Sequence, residues 1–149
     1  RGLGDVYKRQ HLSKNAQEFI FILQKKGILV GLVSGGFAPI VERLAKSLGI
    51  TYYSANQLEV KDGFLTGRLV GEIMTGQVKK ATLERWRKEL ELPKERTIAI
   101  GDGANDLLML KSAGRGIAFC AKEVVKTEIA CHVDTRDFLE VLPLIDFLE

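Results

Sequence analysis

The fold of this chain is most constrained by two short apolar runs, each followed by a glycine-containing polar loop and then by a helical pattern. The runs are residues 28–33 and 97–100, and the loops are residues 34–37 and 101–106. Nearly continuous apolar runs of this length are typical of parallel strands that are covered on both faces. The pattern therefore predicts an α/β fold, with a Rossmann-like parallel sheet flanked by helices.

The rest of the chain adds a hairpin and further elements to this sheet. Asp62-Gly63 is a strong two-residue turn signal, and it predicts a β-hairpin insertion with strands at residues 58–61 and 64–69. Apolar spacings of three and four predict helices near residues 16–26, 39–48, 78–90, 107–113 and 138–145. Ser13 or Asn15 is the expected cap of the first of them. Two more short strands are predicted at residues 116–119 and 131–133.

Composition excludes several classes of function. The net charge is +3, from 22 basic and 19 acidic residues, and so mild an excess does not indicate binding to nucleic acid or to a membrane surface. No apolar run reaches the roughly 18 residues of a membrane span. Cys120 and Cys131 lack metal-type spacing, which predicts reduced thiols in a cytoplasmic protein. The sequence carries no signal of its oligomeric state.

The first eleven residues differ from the others. Residues 1–11 show no helical or strand period and no relation to the pattern that follows. Two interpretations remain open, a non-native segment of the kind attached to some translated metagenomic fragments and a genuine irregular terminus. We favour the first, and we predict one partial core domain over residues 12–149.

The chemistry is expected at the two polar loops, because open parallel sheets bind ligands beyond the carboxyl ends of their strands. Ser34 and Gly35 offer a hydroxyl and backbone N–H groups beside a helix start, which suits an oxyanion. Asp102 and Asp106, four residues apart with glycines nearby, offer hard oxygen ligands that suit Mg²⁺. An anion site beside a site for a hard metal predicts phosphate chemistry.

Each loop by itself is weak evidence. Ser-Gly-Gly is more often a plain turn, and the two aspartates also fit a helix cap and a solvated charge. Neither loop matches a dinucleotide or Walker fingerprint, and the aspartate loop fails the calcium-loop pattern. Their order along the chain, with a lysine between them, is what favours a shared phosphate site.

Five stretches of the sequence resemble the phosphoserine phosphatase branch of the haloacid dehalogenase superfamily. They are LVSGGF at 32–37, ANQLEVKDGFLTGRLVG at 55–71, the segment at Lys79, IGDGANDLLML at 100–110 and IAFCAK at 117–122. The resemblance covers residues 12–149, about nine tenths of the chain. It implies a Mg²⁺-dependent hydrolase that converts O-phospho-L-serine to serine and phosphate in serine biosynthesis.

The resemblance also implies which residues hold the phosphoryl group. Ser34 and Gly35 would contact its oxygens through a hydroxyl and a backbone N–H, and Asn105 would reach the phosphate or the substrate. Lys79 would neutralise the negative charge of an in-line displacement. Lys80, its neighbour, is the second choice for this task.

The metal is implied in the same way. Asp102 would bind Mg²⁺ directly. Asp106 would not contact the metal itself but would orient Lys79 or a metal-bound water. The role of the metal would be to screen charge and to align the attack. The site as a whole requires Ser34, Lys79 and Asp102 to converge at one rim of the sheet.

The Asp-x-Asp-x-[ST] motif of the family has no counterpart in these 149 residues. In the family its first carboxylate attacks phosphorus and its second protonates the leaving alcohol. The first central strand, which carries the motif, and the cap domain are therefore expected to be absent. Unpaired buried groups at the sheet edges would cost roughly 1–3 kcal/mol each. We thus expect a fragment that is aggregation-prone or molten alone and inactive.

Two other interpretations stay open at this point. One is a related phosphatase of the superfamily that acts on another small phosphomonoester, because substrate choice depends largely on the cap. The other is a non-catalytic phosphate-binding module. Retention of Ser34, Lys79, Asp102 and Asp106 argues against the module, since a protein without catalysis does not need the full set of metal and phosphate ligands.

Overall fold

The structure is a computed structural model that describes residues 15–71 and 73–145. The chain divides into two compact units, Arg1–Met74 and Thr75–Glu149, and each is described by itself. The predicted segment 1–11 and the proposed cap at Ser13 lie outside the described residues. No helix in the described part of the chain is both long and apolar enough to cross a membrane.

In the described residues of the first unit, three strands form a sheet and two helices accompany it. Its elements are α1 (Ala16–Lys25), β1 (Gly31–Phe37), α2 (Ala38–Ser47), β2 (Tyr52–Lys61) and β3 (Phe64–Val70). β1 pairs with β2 in parallel, and β2 pairs with β3 in antiparallel. The predicted hairpin is confirmed, with φ of 53° at Asp62 and 82° at Gly63. Positive φ at both turn residues matches the right-handed twist of the two strands.

The core of the first unit lies between the helices and the sheet. Its buried apolar side chains are Phe19, Leu23, Ala38, Val41, Leu44, Ala45, Ile50 and Met74. The members on α1 and α2 recur at spacings of three and four residues, as the sequence predicts. The side-chain amide of Gln24 joins α1 to the end of α2, donating to the carbonyls of Leu48 and Gly49 at 3.1 Å each.

The second unit, as far as residue 145, contains a sheet of three parallel strands with helices. Its elements are α3 (Gly76–Glu89), β4 (Ile98–Gly101), α4 (Leu107–Ser112), β5 (Arg115–Phe119), α5 (Glu123–Glu128) and β6 (His132–Val133), with 3₁₀ turns at Lys94–Arg96, Ala104–Asp106 and Phe138–Leu144. The strand order is β4-β5-β6, and both pairings are parallel. The predicted α/β architecture of parallel strands and helices is confirmed.

The second unit is packed closely around β5. Its buried apolar side chains are Ala99, Met109, Leu110, Ala113, Ile117, Ala118, Phe119, Val125, Ile129, Val133, Val141 and Ile145. The Phe119 and Phe138 rings stack with centroids 4.2 Å apart. A Cβ at Gly116 would lie 2.3 Å from the carbonyl oxygen of Leu110, so only glycine lets α4 approach β5 this closely.

Two predicted elements are corrected. Residues 34–37, which we predicted as a loop, belong to β1, although the β1–β2 register shifts between Val33 and Phe37. The last predicted helix is a 3₁₀ helix with Pro143 inside it. Proline lacks the N–H that a continued α-helix requires, which explains the difference. α5 was not predicted from the sequence.

Candidate active site

Lys79 is positioned by the first turn of α3. The side chain of Thr75 caps this helix, its Oγ1 accepting from the N–H of Val78 at 3.2 Å. One turn later Lys79 is only 7% exposed, whereas Lys80 is exposed to solvent. A buried ammonium group requires a partner. This burial favours Lys79 over Lys80 as the functional lysine.

The partner of Lys79 is Asp106. Lys79 Nζ donates to Asp106 Oδ1 at 2.7 Å, and Asp106 is 6% exposed. The other oxygen, Oδ2, accepts from the backbone N–H groups of Asp102 and Gly103 at 3.1 Å each. Both carboxylate oxygens are thus engaged within the protein. Asp106 is therefore suited to holding Lys79 and the loop after β4 in place rather than to binding a metal directly.

Glycine at position 101 makes room for this carboxylate. A Cβ at Gly101 would lie 2.7 Å from Cβ, Cγ and Oδ2 of Asp106, closer than real Cβ contacts allow. A Cβ at Gly76, in the first turn of α3, would lie 3.1 Å from the carbonyl oxygen of Asn105. These two glycines let Asp106 and α3 come close enough for the ion pair to form.

This close approach leads to a first prediction. Gly101→Ala should destabilise the second unit by about 1–3 kcal/mol, because the methyl group must displace the carboxylate of Asp106. Urea unfolding, followed by circular dichroism in the presence of a stabilising osmolyte, measures the change. Gly35→Ala is the matched control, because a Cβ there meets none of the described residues within 4 Å beyond its chain neighbours. Equal urea midpoints for the two variants would contradict the prediction.

Asp102 and Asn105 differ from Asp106 in being exposed. The side chain of Asp102 makes no hydrogen bond or ion pair with any residue that the structure describes. No cluster of three or more histidine, cysteine, aspartate or glutamate residues suited to a metal occurs among the described residues. Mg²⁺ is often held by one or two carboxylates, with water and phosphate oxygens as the remaining ligands. Asp102 fits one such ligand.

Ser34 and Gly35 lie in the first unit, in the second half of β1 and one turn before α2 begins at Ala38. Ser34 Oγ accepts from the N–H of Gly36 at 2.9 Å. A hydroxyl that accepts in this way still has its own proton to donate, and phosphate oxygens are acceptors. Gly35 is exposed, and a Cβ there would meet none of the described residues within 4 Å beyond its chain neighbours. Both features suit an anion that lies against this short segment.

Asn56 is a residue that the sequence analysis missed. It lies on β2 and is 7% exposed, and its side chain makes two hydrogen bonds. Nδ2 donates to the carbonyl of Gly35 at 2.9 Å, and Oδ1 accepts from the N–H of Met74 at 2.7 Å. The only signal in the sequence is a polar amide within a strand, which is too common to single out.

The structure brings some of the predicted residues together. Lys79 contacts Asp106, and Asp106 in turn accepts from the backbone of Asp102; Asn105 lies in the same loop. Ser34 and Gly35 belong to the other unit. Their convergence with Lys79 and Asp102 stays a prediction.

Comparison with known proteins identifies the class of enzyme to which this chain belongs. Residues 1–111 match the haloacid dehalogenase-like hydrolase family, and this chain belongs to that family. The particular relatives are phosphoserine phosphatases. The chain is 51% identical over 141 residues to the phosphoserine phosphatase of Streptococcus thermophilus, and the match covers 95% of this chain and 66% of the relative.

Solved structures agree with the sequence relatives. The chain is similar to a substrate-bound phosphoserine phosphatase complex, with a TM-score of 0.85 and 42% identity over 90% of this chain and 64% of that one. A phospho-aspartyl intermediate analogue of phosphoserine phosphatase gives 0.84 and 42%, over the same shares. The chain thus spans about two thirds of the length of these relatives. The resemblance predicted from the motifs is confirmed.

Proposed function

We propose that this chain carries the phosphate-binding and Mg²⁺-binding part of a phosphoserine phosphatase, an enzyme that hydrolyses O-phospho-L-serine to serine and phosphate. The observation that supports the proposal most is the buried pair of Lys79 and Asp106 beside the exposed carboxylate of Asp102. A buried ammonium next to a carboxylate that has no hydrogen-bond or ion-pair partner among the described residues suits a bound phosphoryl group with its cation. Relatives that are 51% and 42% identical over most of this chain are named phosphoserine phosphatases.

Each residue has a distinct task in this proposal. Lys79, fixed by Asp106, donates to a phosphate oxygen and offsets its negative charge. Ser34 donates its hydroxyl proton to a second oxygen, and Gly35 lets the anion approach the backbone. Asn105 contacts the phosphate or the substrate. Mg²⁺, when bound at Asp102, would supply further charge neutralisation.

The nucleophile is not among these residues. One of the similar structures is a phospho-aspartyl intermediate analogue of phosphoserine phosphatase, and the family motif that would form such an intermediate is not present in the 149 residues. We therefore propose that the chain by itself binds phosphate without turnover. We also propose a role in serine biosynthesis in the cytoplasm, where the free thiols of Cys120 and Cys131 stay reduced.

A binding experiment tests this function. O-Phospho-L-serine is titrated with Mg²⁺ into the ¹⁵N-labelled chain, in the presence of an osmolyte such as trimethylamine N-oxide that favours the compact state. We expect the amide signals of Gly35, Gly36, Gly103 and Asn105 to shift with one common dissociation constant. Signals that do not shift, or that shift in only one of the two units, would contradict the proposal.

A panel of ligands addresses substrate class. O-Phospho-L-threonine, glycerol 3-phosphate and inorganic phosphate are titrated in the same way. Preference for phosphoserine over all three supports a phosphoserine phosphatase. Equal binding of all four is expected if the choice of substrate lies in the cap, and the same panel measured on a protein that includes the cap then decides the substrate class. Hydrolysis of the same compounds by a longer product of the gene, if it contains an Asp-x-Asp-x-[ST] motif, would exclude a non-catalytic module.

Gly35 provides the sharpest single test of the phosphate site. Gly35→Ala should weaken phosphate binding about tenfold or more, since the methyl group would occupy the open space in which we place the anion. Stability should change by less than about 0.5 kcal/mol, because the added Cβ meets no atom of the described residues within 4 Å beyond its chain neighbours and φ is not in the left-handed region. Titration calorimetry and urea unfolding separate the two effects. Unchanged affinity would remove Gly35 from the site.

A further inference from the structure

We propose that Asn56 is a positioning residue of the phosphate site, because it fixes a peptide group whose N–H donates to the hydroxyl oxygen of Ser34. The proposal rests on the proposed function and adds to it a residue that contacts no substrate. Asn56 is buried on β2, at 7% exposure, and both ends of its amide are hydrogen-bonded within the protein.

The fixed peptide group is the one that joins Gly35 to Gly36. Its carbonyl accepts from Asn56 Nδ2 at 2.9 Å, and its N–H donates to Ser34 Oγ at 2.9 Å. The carbonyl and the N–H of a peptide bond lie in one rigid plane. Asn56 therefore sets the direction of the Gly36 N–H, and this N–H in turn occupies one lone pair of the Ser34 hydroxyl.

The β1–β2 ladder explains why a side chain is needed here. Backbone partners run from Gly31 to Val33 and resume only at Phe37, whose partner is Asn56 itself. The ladder thus skips Ser34, Gly35 and Gly36. Glycines without ladder partners are the residues that lose most conformational freedom on ordering. The Asn56 side-chain amide supplies a hydrogen bond to Gly35, within the segment that has no partner in the β1–β2 ladder.

The other end of the same amide reaches the segment that precedes α3. Oδ1 accepts from the N–H of Met74 at 2.7 Å, and Met74 is itself buried. One rigid amide group thus connects the Ser34–Gly36 segment to residue 74. If Asn56 served only the stability of the fold, its amide could bond to any buried backbone group. Its amide instead bonds to the peptide group that donates to Ser34 Oγ, and this bond is what points to a role at the phosphate site.

Three variants separate the two ends of the amide. Asn56→Ala removes both bonds, and Asn56→Asp keeps the acceptor for Met74 while replacing the donor to Gly35 by a carboxylate oxygen. Gln57→Ala, on the exposed neighbour of Asn56, is the control. Amide hydrogen exchange at Gly36 and Met74 reports the local bonds, and calorimetric titration with inorganic phosphate and Mg²⁺ reports the site.

The expected results differ between the variants. Asn56→Ala should speed exchange at both amides and weaken phosphate binding, each by about tenfold. Asn56→Asp should speed exchange at Gly36 alone, retain protection at Met74, and weaken phosphate binding by at least as much. Gln57→Ala should change none of these quantities. Protection at Met74 in Asn56→Asp shows that the unit has stayed folded.

Two outcomes would overturn the inference in distinguishable ways. If the wild-type chain binds phosphate and Asn56→Asp binds it equally well, or if exchange at Gly36 is unchanged, Asn56 does not position the site and the proposed function stands. If the wild-type chain does not bind phosphate, the proposed function fails and the inference fails with it.

Discussion

Lys79→Met will destabilise the second unit by about 3–5 kcal/mol, the cost of removing one member of a buried ion pair. Methionine keeps most of the length and apolar surface of lysine, so the loss of stability reports the removal of the positive charge. Asp106 would remain 6% exposed, with two backbone N–H groups but without its cation. Urea unfolding, followed by circular dichroism in the presence of a stabilising osmolyte, measures the difference.

The controls for this prediction lie on the same helix and in the same pair. Lys80→Met removes an exposed lysine of α3 and should change stability by less than about 0.5 kcal/mol. Asp106→Asn keeps an oxygen that can accept from the Asp102 and Gly103 N–H groups. The double variant Lys79→Met with Asp106→Asn should therefore cost less than the sum of the two single variants.

Phosphate affinity should decrease in Lys79→Met and not in Lys80→Met, as stability does. We expect Lys79→Met to weaken it by about ten- to a hundredfold, as for the loss of a charge-assisted hydrogen bond, and Lys80→Met to leave it nearly unchanged. If the two lysine variants unfold at the same urea concentration and bind phosphate equally, Lys79 is neither the buried partner of Asp106 nor part of the site.

Local signals in the sequence predicted most of the fold. The Asp62-Gly63 turn is readable because few residues other than glycine and asparagine or aspartate adopt positive φ at both turn positions. The apolar runs before Ser34 and before Asp102 predicted two of the parallel strands, but β1 begins only at Gly31 and none of its residues is buried. The position of Lys79 on a helix was predicted from apolar spacings of three and four residues near 78–90.

Contacts between distant residues could not be predicted from the residues alone. Lys79 and Asp106 are 27 positions apart, and their direct contact depends on how α3 packs against the loop after β4. The resemblance implied that Asp106 orients Lys79 or a metal-bound water, and the structure shows the contact with Lys79. Asn56 was missed because its role depends on the carbonyl of Gly35, 21 positions away, and backbone partners leave no trace in the sequence.

Local rules also failed at two places for physical reasons. Ser34 to Phe37 was predicted as a loop because glycine disfavours strands, yet pairing of Phe37 with Asn56 extends β1 through it. Phe138 to Leu144 has a helical apolar period, but Pro143 limits it to a 3₁₀ helix.

The largest effect we expect is on turnover: the 149-residue chain should hydrolyse O-phospho-L-serine at least about 10⁶-fold more slowly than a relative that has the Asp-x-Asp-x-[ST] motif. None of the carboxylates placed at the site can replace the nucleophile. Both oxygens of Asp106 are hydrogen-bonded within the protein and the residue is buried. Asp102 is exposed, but in the proposed site its oxygen binds the cation.

Release of phosphate, followed by ³¹P NMR with Mg²⁺ present, measures this turnover, and the phosphoserine phosphatase of Streptococcus thermophilus is the positive control. A thermal melt of the same sample tests the expectation of a molten chain. If the sample hydrolyses phosphoserine and melts cooperatively, both expectations are wrong. Asp102→Asn then identifies the group responsible, because turnover that depends on Asp102 would make that carboxylate the nucleophile or an essential metal ligand. Turnover that survives the substitution would place the chemistry elsewhere in the chain.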